Sequence, residues 1–357
     1  MSNGMELPQK GVLGAIFHAT WQPILAVAAA LAVGALLVIL AGASPVTGYL
    51  ALVGGAFGNL NSYAEVLMKA TPLLLAGLGI SFAFRAGYWN IGAEGQIYMG
   101  ALGATFVGLT LGAFPAVVVL PLAIVAGFVM GALWGLIPGL LRARLGVSEI
   151  INTIMFNYIA IFLVSFLVTG PMKEEGGYLP QTDLIAESAV LPKLLPPTRM
   201  HAGIILALMA AAILYWIMVR STLGYRLRVV GENPEAARYA GISVNRIFII
   251  AAGVSGGLAG LAGMSEISGL HQRLLEDISP GYGFTAIVVA LLGRLHPLGV
   301  VIASILFAAL RVGADAMQRR VGIPVAIVYI IQALVIFFVI GREFFERFFR
   351  QIAVKKR

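Results

Sequence analysis

The sequence contains no cysteine and very little charge. The absence of cysteine from all 357 residues excludes disulfide bonds and thiol catalysis. Charged residues make up 11% of the chain, whereas apolar residues make up 60%, and the mean hydropathy is +0.94. Soluble globular domains use about 25% charged residues, largely to cover their surface. The composition therefore predicts a polytopic membrane protein.

Motifs for metal, nucleotide and covalent chemistry are also missing. The four histidines are scattered without metal-ligand spacing: His18, His201, His271 and His296. The sequence has no Gly-x-x-x-x-Gly-Lys-Ser/Thr motif, and no pair of carboxylates has the enclosed polar setting of a hydrolase. No basic patch occurs outside the loops and the tail, so a nucleic-acid partner is not expected. We predict no catalytic residue, metal or cofactor, and any ATP that drives the protein would bind to another chain.

Apolar runs of about 17 to 25 residues predict an all-α, polytopic helical bundle of about ten transmembrane spans. The spans are expected near residues 21–41, 63–84, 95–113, 115–139, 150–169, 201–219, 246–268, 281–293, 297–314 and 323–340. The predicted organisation is a polar segment at 1–20, a transmembrane domain at 21–340 and a basic, Phe-rich tail at 341–357. The tail is typical of an interfacial helix on an anionic membrane surface.

The basic residues predict which side of the membrane each end occupies. The connection at 42–62 carries no charge, whereas the loops near 142–144 and 220–246 and the tail are basic, within a net charge of +8. Because basic loops stay inside, both termini are predicted to be cytoplasmic. Three residues near the ninth span run against this rule: Arg311, Arg319 and Arg320.

The polar interval at 220–246 contains the signals of a short helix. Asn233 is a suitable N-cap, Pro234 fits the first helical position, Glu235 favours the positive end of the helix dipole, and Gly241 can end the helix. The predicted helix covers Pro234 to Ala240, and it has too little apolar area to be stable alone. Its signals are compatible both with a docking element and with an ordinary helical loop.

The sequence of this interval resembles a known family. GENPEAARYAGISVNR followed by AAGVSGGLAGLAG is similar to the coupling loop and next span of bacterial ABC importer permeases for simple sugars, nucleosides and branched-chain amino acids. The resemblance implies that the short helix sits in a cleft of a cytoplasmic ATPase subunit. The implied coupling residues are Asn233, Pro234, Glu235, Ala236, Ala237, Arg238 and Gly241. It further implies a second homologous permease, an extracytoplasmic, often lipid-anchored binding protein, and a bacterial inner-membrane location.

A second stretch, at 84–100, interrupts the apolar pattern with FRAGYWNIGAEGQIYMG. Its polar residues favour either a protein-lined cavity or simple helix capping at a headgroup belt. Trp-Asn-Ile-Gly-Ala-Glu-Gly-Gln resembles the nucleoside-type permeases, with Trp89 where Phe is expected. The resemblance covers the chain from about residue 65 onward. The candidate substrate-path residues are Asn90, Glu94, Gln96, Asn152, Phe156 and Asn157. The two later asparagines could equally join helices to each other.

Two further segments carry predictions. The exterior segment 170–200, rich in Pro and mixed charge, is a candidate landing surface for a binding protein, or else a connector. The pairs Gly253/Gly257 and Gly256/Gly260 indicate close helix packing.

The predicted function is the membrane subunit of an ATP-driven nucleoside importer working by alternating access. The alternatives are a sugar or branched-chain amino acid cargo, or an ion-coupled transporter using Glu94 or Glu266. The choice between a homodimer and a heterodimer stays open.

Overall fold

The computed structural model describes residues 31–340, which form thirteen α-helices. They are α1 (Leu31–Leu40), α2 (Pro45–Phe57), α3 (Leu60–Arg85), α4 (Ala93–Thr110), α5 (Ala116–Leu145), α6 (Glu149–Thr169), α7 (Gly203–Arg220), α8 (Thr222–Glu232), α9 (Pro234–Tyr239), α10 (Val244–Glu266), α11 (Tyr282–Leu292), α12 (Pro297–Val321) and α13 (Val325–Ile340). A π-helical turn, Ile267–His271, continues α10. The predictions for residues 1–20, the start of the first span and the tail at 341–357 lie outside the described residues.

The all-α prediction is confirmed for this part of the chain, whereas the count of about ten spans is not. Six of the described helices are long and apolar enough to cross a bilayer, or seven if the bent pair α1–α2 is one span. The predicted spans at 95–113, 281–293 and 323–340 fall on α4, α11 and α13. Of these, α11 has eleven residues and α13 has sixteen, and a perpendicular crossing needs about twenty.

The first connection differs from its prediction. Instead of a plain linker at 42–62, the chain turns by 116° after α1 and forms the 13-residue helix α2. The absence of charge in this stretch indicates a membrane environment, but nothing in its composition shows a helix break at Gly42, where φ is +80°. The uncharged connection is therefore largely helical.

The structure separates into two compact units, 31–55 with 313–340 and 56–312. The first unit has its own apolar core, with buried side chains from α1, α2, the end of α12, and α13. Examples are Val38, Ala51, Met317 and Val328. The second unit contains α3 to α11, the start of α12 and both segments singled out by the sequence.

Glycines allow three helices of the second unit to approach closely. A Cβ atom at Gly256 would overlap the carbonyl oxygen of Gly131 on α5, and one at Gly260 would overlap that of Gly127. A Cβ at Gly263 would overlap the carbonyl oxygen of Ile97 on α4. The predicted role of the α10 glycines in packing is therefore confirmed.

The segment between α6 and α7 is ordered by hydrogen bonds to the chain that follows α10. The amide of Thr182 donates to the carbonyl of Leu274 (3.0 Å), and the amide of Leu191 donates to the carbonyl of Ser268 (2.7 Å). Arg273 forms an ion pair with Glu174 at 2.8 Å. The segment is therefore ordered, because tertiary contacts take the place of most regular secondary structure. Its role as a landing surface stays a prediction.

Candidate functional site

Two adjacent helices, α8 and α9, occupy the polar interval at 220–246. The prediction contained only the second of them. The side chain of Ser221 caps α8 by accepting a hydrogen bond from the amide of Gly224 (3.2 Å). Leu227 and Val230 lie on the buried face of α8. Ser221 and this three-residue spacing are the local signals that could have revealed the helix.

The predicted short helix is confirmed as α9, one residue shorter at its C-terminus than expected. The side-chain oxygen of Asn233 accepts hydrogen bonds from the amides of Glu235 (3.0 Å) and Ala236 (3.1 Å). Gly241 follows the helix with φ of +74°, a conformation that side chains disfavour. Both ends of the helix are therefore set by local chemistry.

The surface of α9 is almost entirely exposed. Ala237 is the one residue of α9 that is buried, at 0% exposure, while Tyr239 is 93% exposed. Glu235 and Arg238 form an ion pair at 2.7 Å on the outer surface. Such a helix contributes little to its own fold through burial and leaves its outer face free for another molecule. The assignment of these residues to ATPase coupling stays a prediction.

The break between α3 and α4 is held by a buried network of side-chain amides. The side-chain nitrogen of Asn90 donates to the side-chain oxygen of Gln96 (2.9 Å) and to the hydroxyl of Ser255 on α10 (2.8 Å). The side-chain oxygen of Asn90 accepts from the amide of Gly92 (3.0 Å). Asn90 and Gln96 are 0% and 1% exposed. Their polar groups are therefore satisfied within the protein.

Side chains of α6 form hydrogen bonds with backbone groups at the same break. The side-chain nitrogen of Asn157 donates to the carbonyl of Ile91 (2.9 Å), and its oxygen accepts from the amide of Gly95 (2.8 Å). The hydroxyl of Thr153 accepts from the amide of Ile91 at 3.2 Å. Non-helical backbone inside a membrane needs such compensation. Sequence reasoning missed Thr153 and Ser255, because neither stands out from ordinary small polar residues in a helix.

Glu94 connects α4 to the beginning of the short helix α11. Its carboxylate accepts a hydrogen bond from the amide of Gly283 at 2.6 Å, and its side chain is buried. Position 283 requires glycine, because a Cβ there would overlap the backbone of Glu94. The carboxylate thus lies at the N-terminal end of a helix, where the helix dipole favours negative charge.

Three of the six candidate path residues, Asn90, Gln96 and Asn157, therefore hold the break together, and Glu94 lies beside them on α4 with its own bond to α11. Asn152 and Phe156 lie on the same helix as Asn157, but they are half-buried and outside the network. The ring of Phe156 packs edge-on against Trp134, with centroids 5.4 Å apart. The side-chain nitrogen of Asn152 is buried and makes no hydrogen bond to the described residues. Contact of any of the six with a substrate stays a prediction.

Comparison with known proteins gives a consistent result. The profile of a family described as "Branched-chain amino acid transport system / permease component" matches residues 62–340. The chain is 40% identical over 345 residues to the glucose ABC transporter permease protein TsgB13 of Haloferax volcanii, covering 94% of this chain and 90% of that protein. It is 40% identical over 323 residues to the guanosine ABC transporter permease protein NupP of Bacillus subtilis, covering 89% and 92%.

A third relative is the nucleoside ABC transporter permease protein NupB of Lactococcus lactis, at 36% identity over 326 residues and 89% of both chains. The matches extend over the α3–α4 break, the exposed helix α9 and the glycine-rich α10. From the family profile and from these relatives, we conclude that the chain belongs to the family of permease components of branched-chain amino acid transport systems.

Proposed function

We propose that the chain is the membrane-spanning permease subunit of an ATP-driven importer for nucleosides. In this proposal a separate cytoplasmic ATPase binds α9, and a second permease and an extracytoplasmic binding protein complete the assembly. ATP-driven closure of the ATPase pushes α9 and tilts the helices packed above it. The substrate then crosses by alternating access.

The exposure of α9 is the observation that carries this proposal. The helix is capped at both ends and contacts the rest of the protein through the buried Ala237, whereas its other residues are exposed. A six-residue helix is too short to be stable alone. Its caps keep it in one conformation, so a partner that binds it loses little free energy in ordering it. Movement of α9 can pass into the spans through α8 and α10, which lie on either side of it in the chain.

The nucleoside cargo is supported by two of the three relatives, which carry guanosine and nucleoside in their names. The sequence at the α3–α4 break resembles the nucleoside-type permeases. In this proposal the amide network positions α4 and α6 so that the half-buried Asn152 and Phe156 face the path. Phe156 would then offer a ring for stacking on a nucleobase, and Asn152 an amide for hydrogen bonding.

A sugar importer is the second candidate. The glucose permease relative is as similar in identity as the guanosine permease and covers slightly more of this chain. Both candidates use the same machinery, so they differ in the cargo and not in the mechanism.

The test is uptake of a labelled nucleoside by vesicles that contain this chain with the ATPase, second permease and binding protein encoded beside it. Unlabelled nucleosides, glucose, ribose and leucine serve as competitors. We expect uptake to require ATP and to be competed by nucleosides alone. Competition by glucose or ribose would replace the nucleoside cargo with a sugar. Uptake that is indifferent to ATP would exclude the importer itself.

Charge changes on α9 test the coupling step. Arg238→Glu should reduce ATP-dependent uptake by about tenfold or more, because an interface tolerates like charges poorly. The double exchange Glu235→Arg with Arg238→Glu keeps an ion pair within the helix but swaps the positions of the two charges. Because a partner would then meet the opposite charge at each position, uptake should remain defective. Arg144→Glu, at an exposed residue in the last turn of α5, is the matched control. Full uptake by the double exchange would contradict a direct role of α9 in docking.

A further inference from the structure

A groove with two arginines lies beside the exposed helix α9. It has a volume of about 600 Å³ and is formed by α8, the junction after α9 and the first turns of α10. We call it the basic groove. Its lining includes Thr222, Arg226, Ser243, Arg246, Ile247 and Ile250. The proposed transport function uses α9 itself and assigns no role to this groove.

The charge of the basic groove is not neutralised by the described part of the chain. Arg226 and Arg246 are both exposed, and neither forms an ion pair with a carboxylate in residues 31–340. Two other arginines differ: Arg142 contacts Glu149 at 3.1 Å, and Arg238 contacts Glu235 at 2.7 Å. Two uncompensated guanidinium groups beside one groove attract an anion, and guanidinium geometry suits a phosphate.

The floor of the basic groove is apolar and follows a membrane helix. Ile247 and Ile250 are one helical turn apart on α10, which is long and apolar enough to cross a bilayer. Ile250 lies about 9 Å along the helix axis from Val244, the first residue of α10. The groove therefore passes from hydroxyl and guanidinium groups at the helix end to hydrocarbon side chains within the span. A ligand that fits both parts of the groove needs an anionic headgroup joined to an apolar chain.

We propose that the basic groove binds an anionic phospholipid, with Arg226 and Arg246 contacting the phosphate and the isoleucines contacting the lipid chain. A free inorganic phosphate would leave the apolar floor uncovered. The tail at 341–357 carries several positive charges and would be repelled by the arginines. An acidic segment of the ATPase would have to enter the span to reach Ile250, whereas a lipid already lies at that depth. Lipid binding needs neither ATP nor a partner chain, so it does not depend on the proposed transport function.

The experiment measures lipid binding to the full chain purified in detergent, by native mass spectrometry. Phosphatidylglycerol is the anionic probe, and phosphatidylcholine with identical acyl chains is the neutral one. We expect the chain to bind phosphatidylglycerol about tenfold more tightly than phosphatidylcholine, since each arginine near an anionic headgroup contributes to binding. The double variant Arg226→Gln/Arg246→Gln should lose this preference, and Arg226→Lys/Arg246→Lys should retain most of it.

A charge-matched control separates the groove from general electrostatics. Arg144→Gln/Arg220→Gln removes the same charge from two exposed arginines that do not line the groove, so it should keep the preference. Unfolding temperatures check that all variants are folded. An unchanged preference in Arg226→Gln/Arg246→Gln, or equal binding of the two lipids by the parent chain, would overturn the proposal. Retention of the ATPase subunit by each variant is measured in a parallel pull-down: a double variant that keeps its lipid preference but no longer retains the ATPase would assign the groove to the ATPase instead.

Discussion

The α3–α4 break and the α8–α9 segment both interrupt the apolar helices of the second unit, but they treat their polar groups in opposite ways. At the break, Asn90, Gln96 and Asn157 are fully buried and bonded to one another or to neighbouring backbone. In the α8–α9 segment, Asn233 caps its helix locally, while Glu235 and Arg238 face solvent.

The two segments therefore act in different ways. A buried network that satisfies its own donors and acceptors fixes the position of α4 and α6, so its residues act by positioning. An exposed helix whose charges bond only to each other can accept a partner without losing internal contacts. Changes at the break should therefore affect stability, whereas changes on α9 should affect coupling and leave stability nearly intact.

The largest expected loss of stability comes from disrupting the buried network at the α3–α4 break. Asn157→Leu removes the partners of the Ile91 carbonyl and the Gly95 amide, both inside the protein. Leaving one buried and one part-buried backbone group unsatisfied should lower the free energy of unfolding by about 3 kcal/mol. Denaturant unfolding of the purified chain in detergent would measure this loss.

Asn152→Leu is the matched control for that change, because it lies on the same helix and outside the network. It should change the stability by less than about 1 kcal/mol. Equal losses in the two variants would mean that the network does not carry the stability of the break.

A second, smaller effect concerns His201, a buried polar group outside the spans. Its ring is 2% exposed and packs against Gly269, and burial lowers the pKa of His201 from 6.5 to about 4. Because the unfolded chain binds this proton at higher pH than the folded chain, stability is present above pH 6.5 and is lost as the pH falls towards 4. The free energy of unfolding should fall by about 2 kcal/mol between pH 7.5 and pH 5.

His201→Gln should remove most of this pH dependence, since the amide does not titrate. His296→Gln, at a half-buried ring that contacts Tyr215, serves as the control for loss of a histidine. Unfolding temperatures recorded across the pH range would provide the measurement. A parent-like pH profile in His201→Gln would assign the dependence to other groups.

The smallest effect on stability is expected for the exposed helix α9. Asn233→Ala removes the N-cap of α9 and should destabilise that helix by about 1 kcal/mol, with no change in global unfolding. Hydrogen exchange at the amides of Glu235 and Ala236 should speed up about fivefold, because both donate to Asn233. Asn233→Ser retains a capping oxygen and should exchange nearly as in the parent chain. A lower free energy of global unfolding, or unchanged exchange, would contradict the local role of this cap.

Apart from α8, whose local signals were overlooked, the sequence predicted the helices of the α8–α9 segment and α10 from local signals, and it missed features that depend on distant partners. The capped α9 and the close-packed glycines of α10 were both predicted correctly. The helix α2 was missed, because an uncharged stretch alone does not indicate a bend. Whether segment 170–200 is ordered was left open by the sequence, since its partners lie near residue 270.

Composition and local chemistry are enough to predict a helical membrane protein and the start of α9 at Pro234. These properties depend on apolar runs and on groups a few residues apart. Tertiary structure alone decided that Asn157 replaces backbone partners of the break and that Glu94 bonds to Gly283, 189 residues away. The physical reason is that a buried polar residue is stable only with its partners, and the partners are chosen by how the helices pack.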